Sequence, residues 1–175
     1  MKTFNKKGDQ GETSLLYGGR VPKSSPRPQA YGVVDEAMSA LGLARALCSQ
    51  ARVKEIVYKV QQDLSILAAE LATELDHHDK LKEHHWLITA EMVDRLQQWI
   101  EQLEGEIQMP KQFIVPGATA GSGALDLARS IIRRAERQTV ALYRRRMLKN
   151  ENVLSYLNRA ADLAFTLARY EETAK

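Results

Sequence analysis

The densest group of side chains fit for chemistry is Arg129, Arg133, Arg134, Glu136 and Arg137. They sit at the end of a stretch, 113–137, that reads FIVPGATAGSGALDLARSIIRRAER: an apolar run, a Gly/Ala/Ser/Thr loop, then a helical pattern. At 100° per residue, Ala128, Ile131, Ile132, Ala135, Thr139 and Leu142 share one face, which must be the core side. Arg129, Arg133 and Glu136 stack as i, i+4 and i+7 on a second face rotated roughly 110° from it. Arg134 and Arg137 point elsewhere. This pattern has two readings. One is a solvated face with local Arg–Glu pairs, each worth only about 0.3–0.5 kcal/mol. The other is a phosphate clamp, because the guanidinium fork binds phosphate oxygens bidentately. In the clamp, Glu136 would orient an arginine or bind a metal ion.

A second group lies near the start. Asn5-Lys6-Lys7-Gly8-Asp9-Gln10-Gly11-Glu12-Thr13-Ser14 combines glycines, amines and hydroxyls. Glycine lets backbone N–H groups approach phosphate oxygens while lysine supplies charge. The segment matches neither the Walker A pattern nor the Rossmann fingerprint, so by itself it also reads as a basic arm. All four histidines fall in DHHDKLKEHHW, 76–86. On a helix, His77 and His84 are seven residues apart, as are His78 and His85, about 10 Å of rise and too far to share one ion. A lone Glu74-x-x-His77 has no second copy, and a di-iron bundle requires two. The segment reads as a solvated connection, with no metal site assigned. No activated Ser, Cys or Lys nucleophile stands out.

The elements that position these groups are helical. Leu and Ala are abundant, aromatics make up 6%, and the hydrophobic class is 44% of 175 residues, a composition suited to packed helices in one domain. Residues 1–26 lack helical periodicity and form a loop or extended arm, and 27–175 form the bundle. Helices are expected at about 27–49, 51–75, from Thr89 to Gly105, at 122–148, and from Asn150 or Asn152 onward. Asp35 lies in an early turn of the first, where an acid complements the helix dipole. Val53, Ile56, Val57, Val60, Leu64, Leu67, Leu71 and Leu75 make the second a core helix. The expected architecture is all-α, a bundle of about five helices.

A net charge of +3 does not by itself imply nucleic acid. The charge is concentrated, however: seven Arg and one Lys face the single acid Glu136 between 129 and 149. That element would suit an anionic partner. One cysteine, Cys48, precludes an intrachain disulfide, and no apolar run reaches the length of a membrane span. These features suggest a cytoplasmic protein that does not cross a membrane.

Three blocks together resemble the ATP:cob(I)alamin adenosyltransferases of the propanediol-utilisation type. They are KKGDQGETSLLYGGRVPKSSPRPQAYGVVDE near the start, FIVPG followed by LARSIIRRAER, and YLNRAADLAFTLAR at 156–169. The resemblance implies a homotrimer of helical bundles with active sites between subunits, using ATP, magnesium and cob(I)alamin. It places Asn5, Lys6, Lys7, Gly8, Thr13, Ser14 and Lys23 on the nucleotide. Arg133, Arg134, Glu136 and Arg137 would join them from the fourth helix, and Asn158 from the fifth. It implies an Asp35–Arg129 pair across the interface and Phe113 beneath the corrin, where it would help keep cobalt without its axial base. The implied reaction transfers the 5′-deoxyadenosyl group to cobalt and releases triphosphate. A reductase and an adenosylcobalamin-dependent enzyme are the implied partners. The chain departs from the family's usual residues at Asn5, Lys7, Gln10, Ser24, Met38 and Ala118.

Two other functions compete with this one. A non-catalytic relative would bind or deliver adenosylcobalamin. A nucleic-acid-binding helical protein would use Arg133, Arg134, Arg137 and Arg144 to Arg146, but it leaves the glycine arm and YLNR without a role, and an interleaved aromatic platform is missing.

Overall fold

A computed structural model describes residues 6–174. Asn5 lies outside the described residues. The architecture is six α-helices and one small hairpin: α1 Pro26–Leu47, α2 Ala51–Leu71, α3 His78–Glu83, α4 Ala90–Glu106, α5 Ala120–Arg144 and α6 Asn152–Glu171. Strands β1 Glu12–Ser14 and β2 Arg20–Pro22 pair antiparallel, with Thr13 opposite Val21.

Helix α1 packs on α5 and α2, while α6 packs on α5 and α4. Ala30, Val34, Ala37, Leu41 and Ala44 are the buried stripe of α1, and Ala124, Ala128, Ile132 and Ala135 that of α5. Alanines on both stripes allow a close approach, so side chains on the other faces of α5 are carried outward in a fixed direction. Pro26 occupies the first turn of α1, where its missing N–H costs nothing. The charged helix starts earlier than its periodicity suggests, because Thr119 and Ser122 form a reciprocal capping box. It also stops earlier, at Arg144, and Arg146 takes a left-handed conformation at φ 57°.

Two expectations are revised. Helix α2 ends at Leu71 rather than near Leu75, because the arm takes over its backbone: Leu16 N donates to Ala72 O at 2.9 Å and Glu74 N to Tyr17 O at 3.1 Å. The histidine segment also contains structure of its own. A 3₁₀ turn, Leu75–His77, leads into the short α3, anchored by the fully buried Leu81, which adds a sixth α-helix among the described residues to the about five expected. Among the described residues, no helix is long and apolar enough to cross a membrane.

Candidate active site

The face of α5 carrying Arg129 and Arg133 opens on a cavity of about 660 Å³ bounded by α4 and α6. Arg159, Asp162 and Phe165 of α6 line its floor, and Met109, from the loop leading to Phe113, closes one side. Arg133 is exposed and Arg129 half-buried. Farther along the same face, Glu136 accepts a hydrogen bond from Asn158 Nδ2 at 3.2 Å. The structure therefore keeps Arg129, Arg133 and Glu136 on one face of α5, as their spacing suggests, and sets Asn158, which only the resemblance singled out, against Glu136. Arg137 Nη1 donates to the Arg133 carbonyl at 3.1 Å, which lays that guanidinium back along the helix. Arg134 stands apart and pairs with Glu36 of α1.

The arm is a preformed loop. Asp9 N donates to Lys6 O at 3.2 Å and Gly11 N to Gly8 O at 3.3 Å, which closes two successive tight turns. Gly11 sits at φ 79°, a region that glycine enters without penalty. A Cβ at Gly8 would lie 3.2 Å from Lys23 Nζ, so the absence of a side chain there lets the amine lie over the turn. Arg20 clamps the loop from β2, donating to Lys7 O at 2.6 Å and pairing with Glu12 at 3.1 Å. Lys6, Lys7, Gly8 and Lys23 thus converge on one turn. Thr13 and Ser14, adjacent on a strand, face opposite ways.

The arm is rooted at the C-terminal end of α2, through Leu16 and Tyr17. Arg27 ties that end to the chain just past α5: its Nη1 donates to Leu71 O at 2.9 Å and its Nη2 to Met147 O at 2.6 Å. Arg133 lies eleven residues before the end of α5, about 16 Å back along its axis.

Phe113 is 94% exposed and Val115 78%, both on the loop between α4 and α5. Asp35 is exposed on α1. Within the chain, Arg129 pairs with Asp126, Nε to Oδ1 at 3.4 Å, rather than with Asp35. Cys48 is no nucleophile: burial, then the neighbouring Glu171 carboxylate, push its thiol up to about 12. Among the described residues, no group of three or more His, Cys, Asp or Glu side chains could hold a metal ion.

Periodicity missed the buried charges. Asp126 and Arg169, each 3% exposed, pair at 2.7 Å between α5 and α6. Asp63, fully buried, accepts from the Tyr156 hydroxyl at 3.0 Å and pairs with Arg95. Their signals in the sequence are short spacings: Lys59–Asp63 at i, i+4, and Asp126–Arg129 and Arg169–Glu172 at i, i+3.

A family model described as cobalamin adenosyltransferase matches residues 3–171. A corrinoid adenosyltransferase of Citrobacter freundii is 36% identical over 172 residues, covering 98% of this chain and 96% of the relative. One from Bacillus subtilis (strain 168) is 37% identical over 173 residues, covering 97% and 86%. Among solved structures, a variant PduO-type ATP:corrinoid adenosyltransferase from Lactobacillus reuteri, complexed with cobalamin and ATP, superposes with a TM-score of 0.87. That match has 33% identity and covers 97% of this chain and 90% of the other. A second variant of that type, complexed with ATP, gives 0.84 at 34% identity, covering 95% and 92%.

Proposed function

This chain belongs to the cobalamin adenosyltransferase family, and we propose that it transfers the 5′-deoxyadenosyl group of ATP to the cobalt of cob(I)alamin. The cobalt(I) electron pair attacks the 5′ carbon, a cobalt–carbon bond forms, and the carbon–oxygen bond to triphosphate breaks. Cobalt ends two electrons more oxidised and triphosphate leaves with the electron pair of the broken bond. Because the substrate supplies the nucleophile, a site without an activated Ser, Cys or Lys suffices. Two tasks fall to the protein: holding cobalt and carbon close and in line, and stabilising charge on the departing phosphates.

The observation that carries this reading is the cavity where Arg129 and Arg133 meet the loop that bears Phe113. Arg133, beside Glu136 and Asn158, grips the triphosphate, joined by Arg137 on leaving the Arg133 carbonyl and by Arg134 on leaving Glu36. The arm supplies Lys6, Lys7, Gly8, Thr13, Ser14 and Lys23, with Asn5 before them. Magnesium enters on the phosphates, which provide most of its ligands. Phe113 packs beneath the corrin, where an apolar ring offers cobalt no axial ligand. An aromatic ring 94% exposed has most of its surface left to bury.

The assembly is a homotrimer in which the arm of one subunit closes over α5 of the next, and Asp35 pairs with Arg129 across that interface. The rooting of the arm one helix end away from Arg133 supports such a division. The single buried thiol supports a cytoplasmic site, where a reductase supplies cob(I)alamin and an adenosylcobalamin-dependent enzyme takes the product.

The test is an anaerobic incubation of the protein with MgATP and chemically reduced cobalamin. The spectrum of adenosylcobalamin should replace that of cob(I)alamin. In Arg133→Ala its rate should fall by about 10²–10³, the usual loss when one donor to developing charge is removed. Binding of adenosylcobalamin without any turnover would make the protein a non-catalytic carrier instead.

A further inference from the structure

The carboxylate of Asp126 has no role in the reaction described above, yet it divides itself between two guanidiniums. Its Oδ2 accepts from Arg169 Nη2 at 2.7 Å, and its Oδ1 lies 3.4 Å from Arg129 Nε. Both guanidiniums stand against the same ring, Phe165, at 5.8 Å for Arg129 and 5.2 Å for Arg169. One buried acid therefore separates two cations that share one aromatic surface. Without it Arg169 keeps Glu172, while Arg129 loses its ion-pair partner among the described residues and faces a like charge across the ring. Arg169 cannot move away: it is 3% exposed, and its Nη2 also donates to Glu172 Oε1 at 2.9 Å. Arg129 is the one free to shift, since its side chain is 30% exposed at the cavity.

The contact also selects an edge. Asp126 meets Arg129 at Nε as an ion pair rather than a well-formed hydrogen bond, because Nε has no hydrogen-bond acceptor. The two Nη groups, which carry the bidentate fork, remain for another anion.

We propose that Asp126 is a positioning residue, which holds Arg129 over Phe165 with its Nε edge inward so that its Nη fork stands at the cavity beside Arg133. What Arg129 then does rests on the adenosyltransferase reading; the geometry does not.

Two measurements test it. In ¹⁵N-arginine spectra of the parent, the Arg129 Nε–H signal, assigned by its loss in Arg129→Lys, should exchange with water far more slowly than those of Arg144 or Arg145. In Asp126→Asn it should move and exchange faster. An Arg129 signal as labile as those surface arginines in the parent, or one unmoved in Asp126→Asn, overturns the proposal, and the parent result is decisive even if the variant fails to fold. The second is a double-mutant cycle on kcat/KM for cob(I)alamin at saturating MgATP. Asp126→Asn should cost about tenfold in the parent and less than about twofold in Arg129→Ala. An equal loss in both backgrounds would mark a structural role and overturn the proposal, as would no loss in the parent. If the parent makes no adenosylcobalamin while the Nε signal behaves as expected, the functional reading fails and the positioning stands.

Discussion

Glu136 of α5 is fastened to Asn158 of α6, Nδ2 to Oε1 at 3.2 Å. Among the described residues no arginine forms an ion pair with Glu136, so the local Arg–Glu pairs of a merely solvated face do not form. The carboxylate is instead held between two helices beside Arg133, with its charge available to a ligand or to the cation that accompanies one. Glu136→Gln and Asn158→Ala should each lower kcat/KM for MgATP by about 10- to 100-fold, the worth of a hydrogen bond to a charged group. Their urea midpoints should stay near that of the parent, since both groups lie at the surface of the bundle. Steady-state kinetics beside equilibrium unfolding checks both halves. Unchanged kinetics would return this face to solvent.

Phe113 contributes almost nothing to the folded monomer, being 94% exposed. Phe113→Ala should therefore leave stability within about 0.5 kcal/mol of the parent and leave ATP binding intact, while slowing reaction with the corrinoid. Calorimetric titration with MgATP, followed by stopped-flow formation of adenosylcobalamin, separates the two effects. A full rate with cob(II)alamin and a reductase would show that the ring does not sit beneath cobalt.

Arg27 closes the far end of the bundle. It is 5% exposed, and it satisfies the carbonyls of Leu71 and Met147 across two helix ends. Arg27→Met keeps the apolar stem and strands both carbonyls, and should cost about 2–4 kcal/mol in urea unfolding. The arm is rooted on the same end of α2, so the affinity for MgATP should fall as well. A loss of stability below about 0.5 kcal/mol would mean the carbonyls find water instead.

Acid should weaken this same end. Burial, then the charges of Arg27, Lys149 and Lys82, hold the His78 imidazole below its usual value, with Asp79 opposing. Its neutral form is favoured in the folded chain, so the unfolded chain binds the proton more readily. The stability it contributes is complete above the unfolded value of about 6.5 and is lost as pH falls through the lower folded value. The melting temperature of the parent should drop over that window, and more steeply than that of His78→Gln. Parallel profiles would remove His78 as the cause.

Much of this was legible in the sequence, because helical periodicity reports which face must be dry. It placed Ala128, Ile131, Ile132, Ala135, Thr139 and Leu142 inward; Ile131 is half-buried and the other five are buried. It put Arg129, Arg133 and Glu136 on one outer face and turned Arg134 away, as found. Long-range capture was not legible. The end of α2 is set by Leu16 and Tyr17, more than fifty residues earlier. Helix α3 escaped notice because a single buried Leu81 among charged residues has no period. The Asp126–Arg169 and Arg134–Glu36 pairs join residues 43 and 98 positions apart, distances over which local pattern carries no information. The pairing of Arg129 with Asp35 across the interface came from the resemblance; within the subunit Arg129 meets Asp126, a contact that periodicity did not single out.

The most direct test is a crystal of the protein grown with MgATP and cob(II)alamin. The nucleotide should lie between adjacent subunits, its triphosphate against Arg133 and Glu136 of one and the Lys6–Gly8 turn of the other, with the 5′ carbon toward cobalt and Phe113 beneath the corrin. Arg129 and Arg133 facing bulk water, with no nucleotide between the chains, would contradict it.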